Sequence, residues 1–339
     1  MQDRKGRIIC FDKGGLMKIL ITGASGYIGS MLVRKLLQQF PDCRITALVR
    51  NEEKARKVLP PAVCIIPADV TDDAAMGEIT AEFDYIIHCA AVTKSAEMLA
   101  HPVEVADGIV HGTRNVLDLA RRCKEAGTLK SMVYLSSMEV YGNITCSDGH
   151  RVTEEEQGYV DPLVPRSCYP MGKRMAENLC ALYYSEYGVP VRIARLAQTF
   201  GHGVPAEDTR VFAQFARAAR TGEKIILHTT GMSMGNYSAI EDTVSGIFTI
   251  LTKGADGEAY NIVNEQNTMR IREMAELVAE TIAGRKIRVV YDIPENNKYG
   301  YAADTGLMLS SKKLCALGWK PMKDLVQMYR DMIEDWKFV

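Results

Sequence analysis

Lys18-Ile19-Leu20-Ile21-Thr22-Gly23-Ala24-Ser25-Gly26-Tyr27-Ile28-Gly29 is the stretch that decides the fold. Lys18–Thr22 is a short apolar run bounded by glycine, the signature of a buried strand. Tyr27–Gln39 then carries Ile28, Met31, Leu32 and Leu36 at helical spacing. Between strand and helix stand Gly23, Gly26 and Gly29. Glycine lets the backbone turn tightly and approach another group closely. The helix that follows offers free N–H groups and the positive end of its dipole. Gly23, Ser25, Gly26, Tyr27, Ile28 and Gly29 are therefore candidates to hold a pyrophosphate. The plain alternative is a tight turn with no ligand.

Outward from this unit the chain keeps alternating. Arg44–Arg50, Val63–Pro67, Tyr85–Ala90, Ser131–Ser136 and Val191–Leu196 read as strands. Helices are predicted from near Asn51, over Gly112–Glu125 and over Met171–Tyr187. Strands separated by helices build a parallel sheet covered on both faces, with right-handed crossovers. The fold class is thus α/β, a Rossmann-type doubly wound parallel sheet. After Gly201 the pattern changes. Arg210–Arg220, Ile240–Leu251, Ile271–Ala283, Ser310–Leu317 and Lys323–Trp336 read as helices, Lys224–Leu227 and Ala259–Val263 as strands. These expectations give a sheet domain from 17 to 200 plus about 225–265. A smaller, interleaved α/β substrate-binding region takes about 201–224 and 266–339. Residues 1–16 mix charges and glycines, lack the apolar core of a secretory signal, and read as an appendage.

Composition bounds the partners. The 339 residues carry 41 Lys and Arg against 42 Asp and Glu, so the net charge of −1 suggests neither nucleic acid nor a membrane surface. No apolar run approaches the ~18 residues of a membrane helix. The nine cysteines are odd in number and form no Cys-x-x-Cys pair, which fits a reducing compartment and predicts a cytoplasmic protein. The six histidines show no ligand spacing, so no metal is expected.

The end of the second strand normally carries an acidic residue for the ribose hydroxyls of NAD. Here the chain reads Val49-Arg50-Asn51. Arg50 suits a 2′-phosphate or is a solvated strand-end charge, which leaves NAD and NADP both open. A second signal is Tyr169-Pro170-Met171-Gly172-Lys173. Tyr169 and Lys173 share one helix face, and a nearby ammonium lowers a phenol's pKa. That pair suits acid–base work in a hydroxyl–ketone interconversion. Ser136 and Ser137 end the fifth strand, at the edge where open sheets bind ligands. His88 reads as a core histidine, and Cys168 as a packing residue.

Thr22–Gly29, Asp69-Val70, His88-Cys89-Ala90-Ala91, Ser136–Gly142 and Tyr169–Lys173 together resemble the extended short-chain dehydrogenase/reductases, the NAD(P)-dependent epimerases, dehydratases and decarboxylases of nucleotide sugars. The resemblance runs from about Met17 to Trp336. It implies that Asp69 and Val70 flank an adenine and that Ala90 and Ala91 pass beneath a tightly bound NAD or NADP. It makes Ser137, Tyr169 and Lys173 the catalytic set, with Lys173 also on the nicotinamide ribose. Arg166-Ser167-Cys168-Tyr169 and Asp208-Thr209-Arg210-Val211 are similar to UDP-glucuronate decarboxylases. Glu139 matches a glutamate shared by decarboxylases and 4,6-dehydratases, but Met138 stands where dehydratases carry an acid. The resemblance points to an epimerase-type enzyme acting on a nucleotide-linked sugar or polyol, with Glu139 moving a proton; the plain alternative for Glu139 is a structural carboxylate that caps a helix or pairs with an arginine. Decarboxylase, dehydratase, simple NADPH-dependent reductase and non-catalytic sensor are the alternatives. Gln198 takes the place of a substrate asparagine, and Gly235 lies near a position where many members carry a diphosphate arginine. That leaves Arg210 as the expected phosphate ligand, with help from Arg217 or Arg220. Family members often pair through helices matching Val105–Glu125 and Met171–Tyr187, which predicts a homodimer.

Overall fold

The computed structural model describes residues 16–144, 149–294 and 305–336. The expected appendage at 1–16 lies outside them apart from Leu16. The first half runs β1 (Lys18–Thr22), α1 (Tyr27–Gln39), β2 (Arg44–Val49), α2 (Glu52–Val58), β3 (Cys64–Pro67), α3 (Asp73–Glu78), β4 (Tyr85–His88), α4 (Ser95–Ala100), α5 (Pro102–Glu125), β5 (Ser131–Ser137), α6 (Cys168–Tyr187) and β6 (Val191–Leu196). The second runs β7 (Gln198–Phe200), α7 (Val211–Thr221), β8 (Ile225–Leu227), β9 (Met234–Gly235), β10 (Tyr237–Ala239), α8 (Ile240–Lys253), β11 (Ala259–Ile262), β12 (Met269–Arg270), α9 (Ile271–Leu277), β13 (Val289–Tyr291), α10 (Lys312–Ala316) and α11 (Leu325–Asp335).

Seven strands form one sheet in the order β3-β2-β1-β4-β5-β6-β11, and every neighbouring pair is parallel. The doubly wound α/β expectation is therefore met. Both faces are buried, as the unbroken apolar strands require. Ile19 and Ile21 point into a core with α1 and α8, while Leu20 points into the opposite core with α5 and α6. Strand order reverses between β1 and β4. That switch point opens a crevice beyond the carboxyl ends of the strands. Thr22, His88 and Ser137 end β1, β4 and β5 at this edge.

A third core fills the lobe above the edge. Phe200 stacks on Phe212 at 4.4 Å, and Tyr237, Met274, Met328 and Trp336 close around them. Its strands form three small pairs, β7 with β10, β8 with β13 and β9 with β12. The expectation that the chain rejoins the large sheet from about 225 needs correction. β8 pairs with β13 in the lobe, while β11 joins the large sheet and α8 and later α10 pack on it.

Other differences have local causes. α5 begins at Pro102, ten residues before the predicted start at Gly112. Pro102 fits the first helical position, where its missing N–H costs nothing, and Gly112 is an interior position pressed against Val70. α6 begins at Cys168 because Pro170 is tolerated in a first turn. The predicted helix Ile271–Ala283 is α-helical only to Leu277 and then widens into a π turn over Val278–Ile282.

Candidate functional site

The glycine loop is built by steric exclusion. Gly23 has φ 64°, and a Cβ there would lie 2.8 Å from the Ala90 backbone. A Cβ on Gly29 would lie 2.5 Å from the Gly23 carbonyl oxygen. The first helical turn of α1 thus folds directly onto the loop. Gly26 caps α1 with no side chain, and no acidic residue occupies the first turn. The N–H groups there and the dipole end face the crevice uncompensated, a cradle that fits a pyrophosphate.

The floor of the crevice is tied together by polar groups. Ala90 N–H donates to Thr22 Oγ1 at 3.2 Å. Thr22 in turn lies 2.7 Å from His88 Nδ1, and His88 Nε2 lies 3.2 Å from Thr113 Oγ1. Burial, aided by the Lys173 charge, pushes His88 down to about 3. His88 is a neutral core histidine, as expected.

Asp69 and Val70 follow β3. Asp69 Oδ1 accepts from the Thr71 N–H at 3.0 Å and hydroxyl at 2.9 Å. Val70 is buried, and its carbonyl accepts from Asn115 Nδ2 at 3.0 Å. Arg50 stands opposite, with Nη1 3.9 Å from Asp69 Oδ2. Ala90 and Ala91 lie just past β4 and are half-buried.

Ser137, Tyr169, Lys173 and Glu139 come together where β5 ends. The Ser137 hydroxyl accepts from Glu139 N–H at 3.2 Å and lies on the side of the Tyr169 phenol, where it favours the ionised form. Lys173 is buried and donates to the Leu135 carbonyl at 2.6 Å, with Nζ 5.8 Å from the Tyr169 ring centre. Burial pulls its ammonium down to about 8, against the Glu177 carboxylate.

One expectation about this cluster changes, and one open alternative is met. Lys173 was expected to depress the phenol. Instead burial and then the Glu139 carboxylate raise Tyr169 above the usual phenol value, opposed by Ser137 and Arg166. The Lys173 ammonium is turned to Leu135 rather than to the phenol. Glu139, read as a proton-moving group or a carboxylate paired with an arginine, is paired: Arg166 Nη2 donates to both its oxygens at 3.1 and 2.9 Å. Arg166 also lies 6.0 Å from the Tyr169 ring centre. In the sequence Arg166 stands out only as part of the resemblance carried by Arg166-Ser167-Cys168-Tyr169. Its signal was a cation three residues before Tyr169, one turn away at the start of α6.

Gln198 lies two residues beyond Leu196, the register partner of Ser137, so it flanks the same edge. Arg210 does not offer the free cation that was expected. Asp208 accepts from its Nε at 3.0 Å and its Nη2 at 2.6 Å. Burial opposes ionisation of Asp208, but the Arg210 hydrogen bonds win and hold it below the usual carboxylate range. Arg217 is likewise engaged, donating to the Ala206 and Asp208 carbonyls at 2.8 and 2.6 Å. Among the described residues no group of three or more His, Cys, Asp or Glu is placed to hold a metal. No helix there is long and apolar enough to cross a membrane.

Behind Lys173 lies a buried pair that sequence spacing did not reveal. Glu177, one turn on, accepts from Arg195 Nη2 at 2.8 Å and from the Ser136 hydroxyl at 2.5 Å. Arg195 also donates to the Tyr141 hydroxyl at 3.0 Å and the Glu154 carbonyl at 2.8 Å. The partners come from β6 and from loops more than a dozen residues away, beyond any helical period.

Comparison with known proteins gives a consistent set. Residues 19–263 match the model of the NAD dependent epimerase/dehydratase family. UDP-glucuronic acid decarboxylase 6 of Arabidopsis thaliana is 31% identical over 326 residues, covering 95% of this chain and 89% of that protein. The dTDP-D-glucose 4,6-dehydratase of Mus musculus is 28% identical over 343 residues, covering 94% and 90%. Among solved structures, the UDP-glucose 4-epimerase of Thermotoga maritima with UDP-glucose superposes with a TM-score of 0.81. It is 22% identical, covering 95% of this chain and 99% of that one. The dTDP-glucose 4,6-dehydratase of Streptomyces venezuelae with NAD bound gives 0.76 at 23% identity, covering 95% and 97%.

Proposed function

The chain belongs to the NAD-dependent epimerase/dehydratase family, and from that premise we propose that it is a nicotinamide-dependent enzyme that oxidises a hydroxyl of a nucleotide-linked sugar, rearranges the adjacent carbon and restores the hydride. The observation that carries this is the meeting of Ser137, Tyr169 and Lys173 at the end of β5, beside the glycine cradle. A module that merely senses the dinucleotide needs the cradle alone. Relatives of known structure hold NAD, UDP-glucose or a dTDP-type nucleotide, which supports both ligand classes.

A bound oxidised nicotinamide would supply the hydride acceptor for the carbon that carries the hydroxyl, and the donor for its return. Gly23, Ser25, Gly26, Tyr27, Ile28 and Gly29 hold the pyrophosphate at the start of α1. Asp69 and Val70 border the adenine, and Ala90 and Ala91 form the floor. Tyr169 removes the hydroxyl proton as the hydride leaves. Ser137 hydrogen-bonds the oxygen that becomes the ketone. Lys173 fixes the nicotinamide ribose, and Gln198 and Ser137 orient the sugar. The ketone acidifies the neighbouring carbon, and Glu139 moves the proton there. Reprotonation of that carbon on its other face would invert its stereocentre, and return of the hydride would then restore the hydroxyl. Arg166 holds Glu139 in place until then.

Met138 supplies no proton to a departing hydroxyl, so epimerisation takes precedence over dehydration. Loss of an adjacent carboxylate is the second reading. It is favoured by the Arg166 cation beside Glu139 and by the decarboxylases among the relatives. Incubation with UDP-, CDP-, GDP- and dTDP-sugars separates these outcomes. Unchanged mass with a new stereocentre marks an epimerase, and loss of carbon dioxide marks a decarboxylase. Loss of water marks a dehydratase, and net consumption of added NADPH marks a reductase. No conversion of any sugar contradicts the proposal. The same reading includes a homodimer through α5 and α6 and a cytoplasmic location.

A further inference from the structure

The far end of the crevice differs chemically from what a ribose diol needs. Gly23 N–H donates to the Leu48 carbonyl at 3.0 Å, and Ala68 N–H donates to the Val49 carbonyl at 3.1 Å. The tip of β2 is thus clamped between the glycine loop and the turn that leads to Asp69. Arg50 and Asn51, the next two residues, follow the carboxyl end of β2, the strand end beside which the adenosine ribose of a dinucleotide on such a cradle sits.

A carboxylate at this strand end would accept both ribose hydroxyls. None does so here. Glu52 and Glu53 begin α2 and turn along their own helix, where Arg56 Nε reaches Glu52 at 2.8 Å and Lys57 reaches Glu53 at 2.6 Å. The Asn51 side-chain oxygen is used as the cap of α2, accepting from Lys54 N–H at 2.8 Å. Asp69 has one oxygen committed to Thr71. Arg50 is the opposite case. Its side chain is 71% exposed, and its guanidinium makes no hydrogen bond among the described residues. The contact with Asp69 at 3.9 Å is too long for a hydrogen bond and is screened by solvent. Every donor of the guanidinium fork is available, at a spacing that suits bidentate binding of a phosphate.

We propose that Arg50 binds a 2′-phosphate on the adenosine ribose, so that this chain takes NADP(H) in preference to NAD(H). The inference rests on the dinucleotide reading above and adds the identity of the cofactor, which differs from the NAD held by the structural relatives. A dianionic phosphate displaces Asp69 from Arg50, because charge-assisted paired hydrogen bonds outweigh one long, hydrated ion pair.

Calorimetric titration of the purified protein with NADP+ and with NAD+ tests this without turnover. The fragments 2′,5′-ADP and 5′-ADP serve as a second pair of probes. Any dinucleotide carried through purification is first extracted and weighed by mass spectrometry, and it is expected to contain the extra phosphate. NADP+ is expected to bind at least about tenfold tighter, a factor of the size one charge-assisted contact supplies. The advantage should shrink as salt is raised. Arg50→Ala should erase the difference with NAD+ affinity kept, and Arg50→Asp should reverse it. Equal or tighter binding of NAD+ by the unaltered protein overturns the inference and leaves the proposed function standing. So does a preference for NADP+ that survives in a folded Arg50→Ala. Binding of neither dinucleotide overturns both.

Discussion

Tyr169 shows how a single side chain sets the behaviour of the site. Burial and the Glu139 carboxylate keep its phenol neutral, so its use as a base improves as pH rises. The rate of nicotinamide reduction by substrate should therefore climb with pH above neutrality. Glu139→Gln removes one raising influence and leaves the Arg166 cation unpaired, and both changes push the phenol down. The climb should then shift to lower pH while rearrangement of the adjacent carbon is lost. A pH profile of the reduction step, with product analysis, checks both halves. An unmoved profile with rearrangement intact would make Glu139 structural only. His88 carries a stability prediction. Its folded pKa of about 3 lies below the unfolded value of ~6.5. Its contribution is complete above pH ~6.5 and is lost as pH falls from there toward about 3, where the unfolded chain binds the extra proton. The loss should amount to a few kcal/mol in acid denaturation, and His88→Gln should flatten that part of the curve.

Elements, not single residues, decide where the chemistry sits. The turn from β1 into α1 tolerates no side chain at Gly23 or Gly29, because backbone lies within 2.8 Å and 2.5 Å of a Cβ there. Gly23→Ala adds the strain of a positive φ. It should cost about 1–3 kcal/mol in denaturant unfolding and abolish dinucleotide binding. Retention of both at the unaltered level would remove the cradle from the account. This unit was fully legible in the sequence, as was the alternation behind the large sheet, because both depend on local period and glycine placement. Less legible were elements fixed by distant contacts. α5 looked short because Gly108 and Gly112 weaken its pattern, yet Gly112 is required where the helix meets Val70. β8 carries the composition of a sheet strand, and only its partner β13 shows that it belongs to the lobe. At the site, Tyr169, Ser137 and Lys173 were legible from one helical face and one strand end. The Asp208 grip on Arg210 was not, and pairing of Glu139 with an arginine stood only as an alternative without a named partner, since a motif gives residue types and not the partners of each charge.

On the scale of the whole molecule, α5 and α6 pack side by side and leave an apolar stripe outward. Met171, Met175 and Leu182 repeat at helical spacing along α6, and all three are exposed. The proposed homodimer would cover this stripe with a second copy. Gel filtration with light scattering should give a dimer, and Met175→Glu with Leu182→Glu should give a folded monomer. A monomer from the unaltered chain would remove the pairing and leave the chemistry untouched. The chemistry is tested most directly by Tyr169→Phe, which keeps the ring and loses only the hydroxyl. The variant and the unaltered protein are each loaded with oxidised dinucleotide and mixed with the sugar that the panel identifies, and nicotinamide reduction is followed in a single turnover. The variant should bind dinucleotide normally and reduce it at least about a thousandfold more slowly, a loss of ~4 kcal/mol of transition-state stabilisation. Reduction at an unchanged rate would contradict the account at its centre.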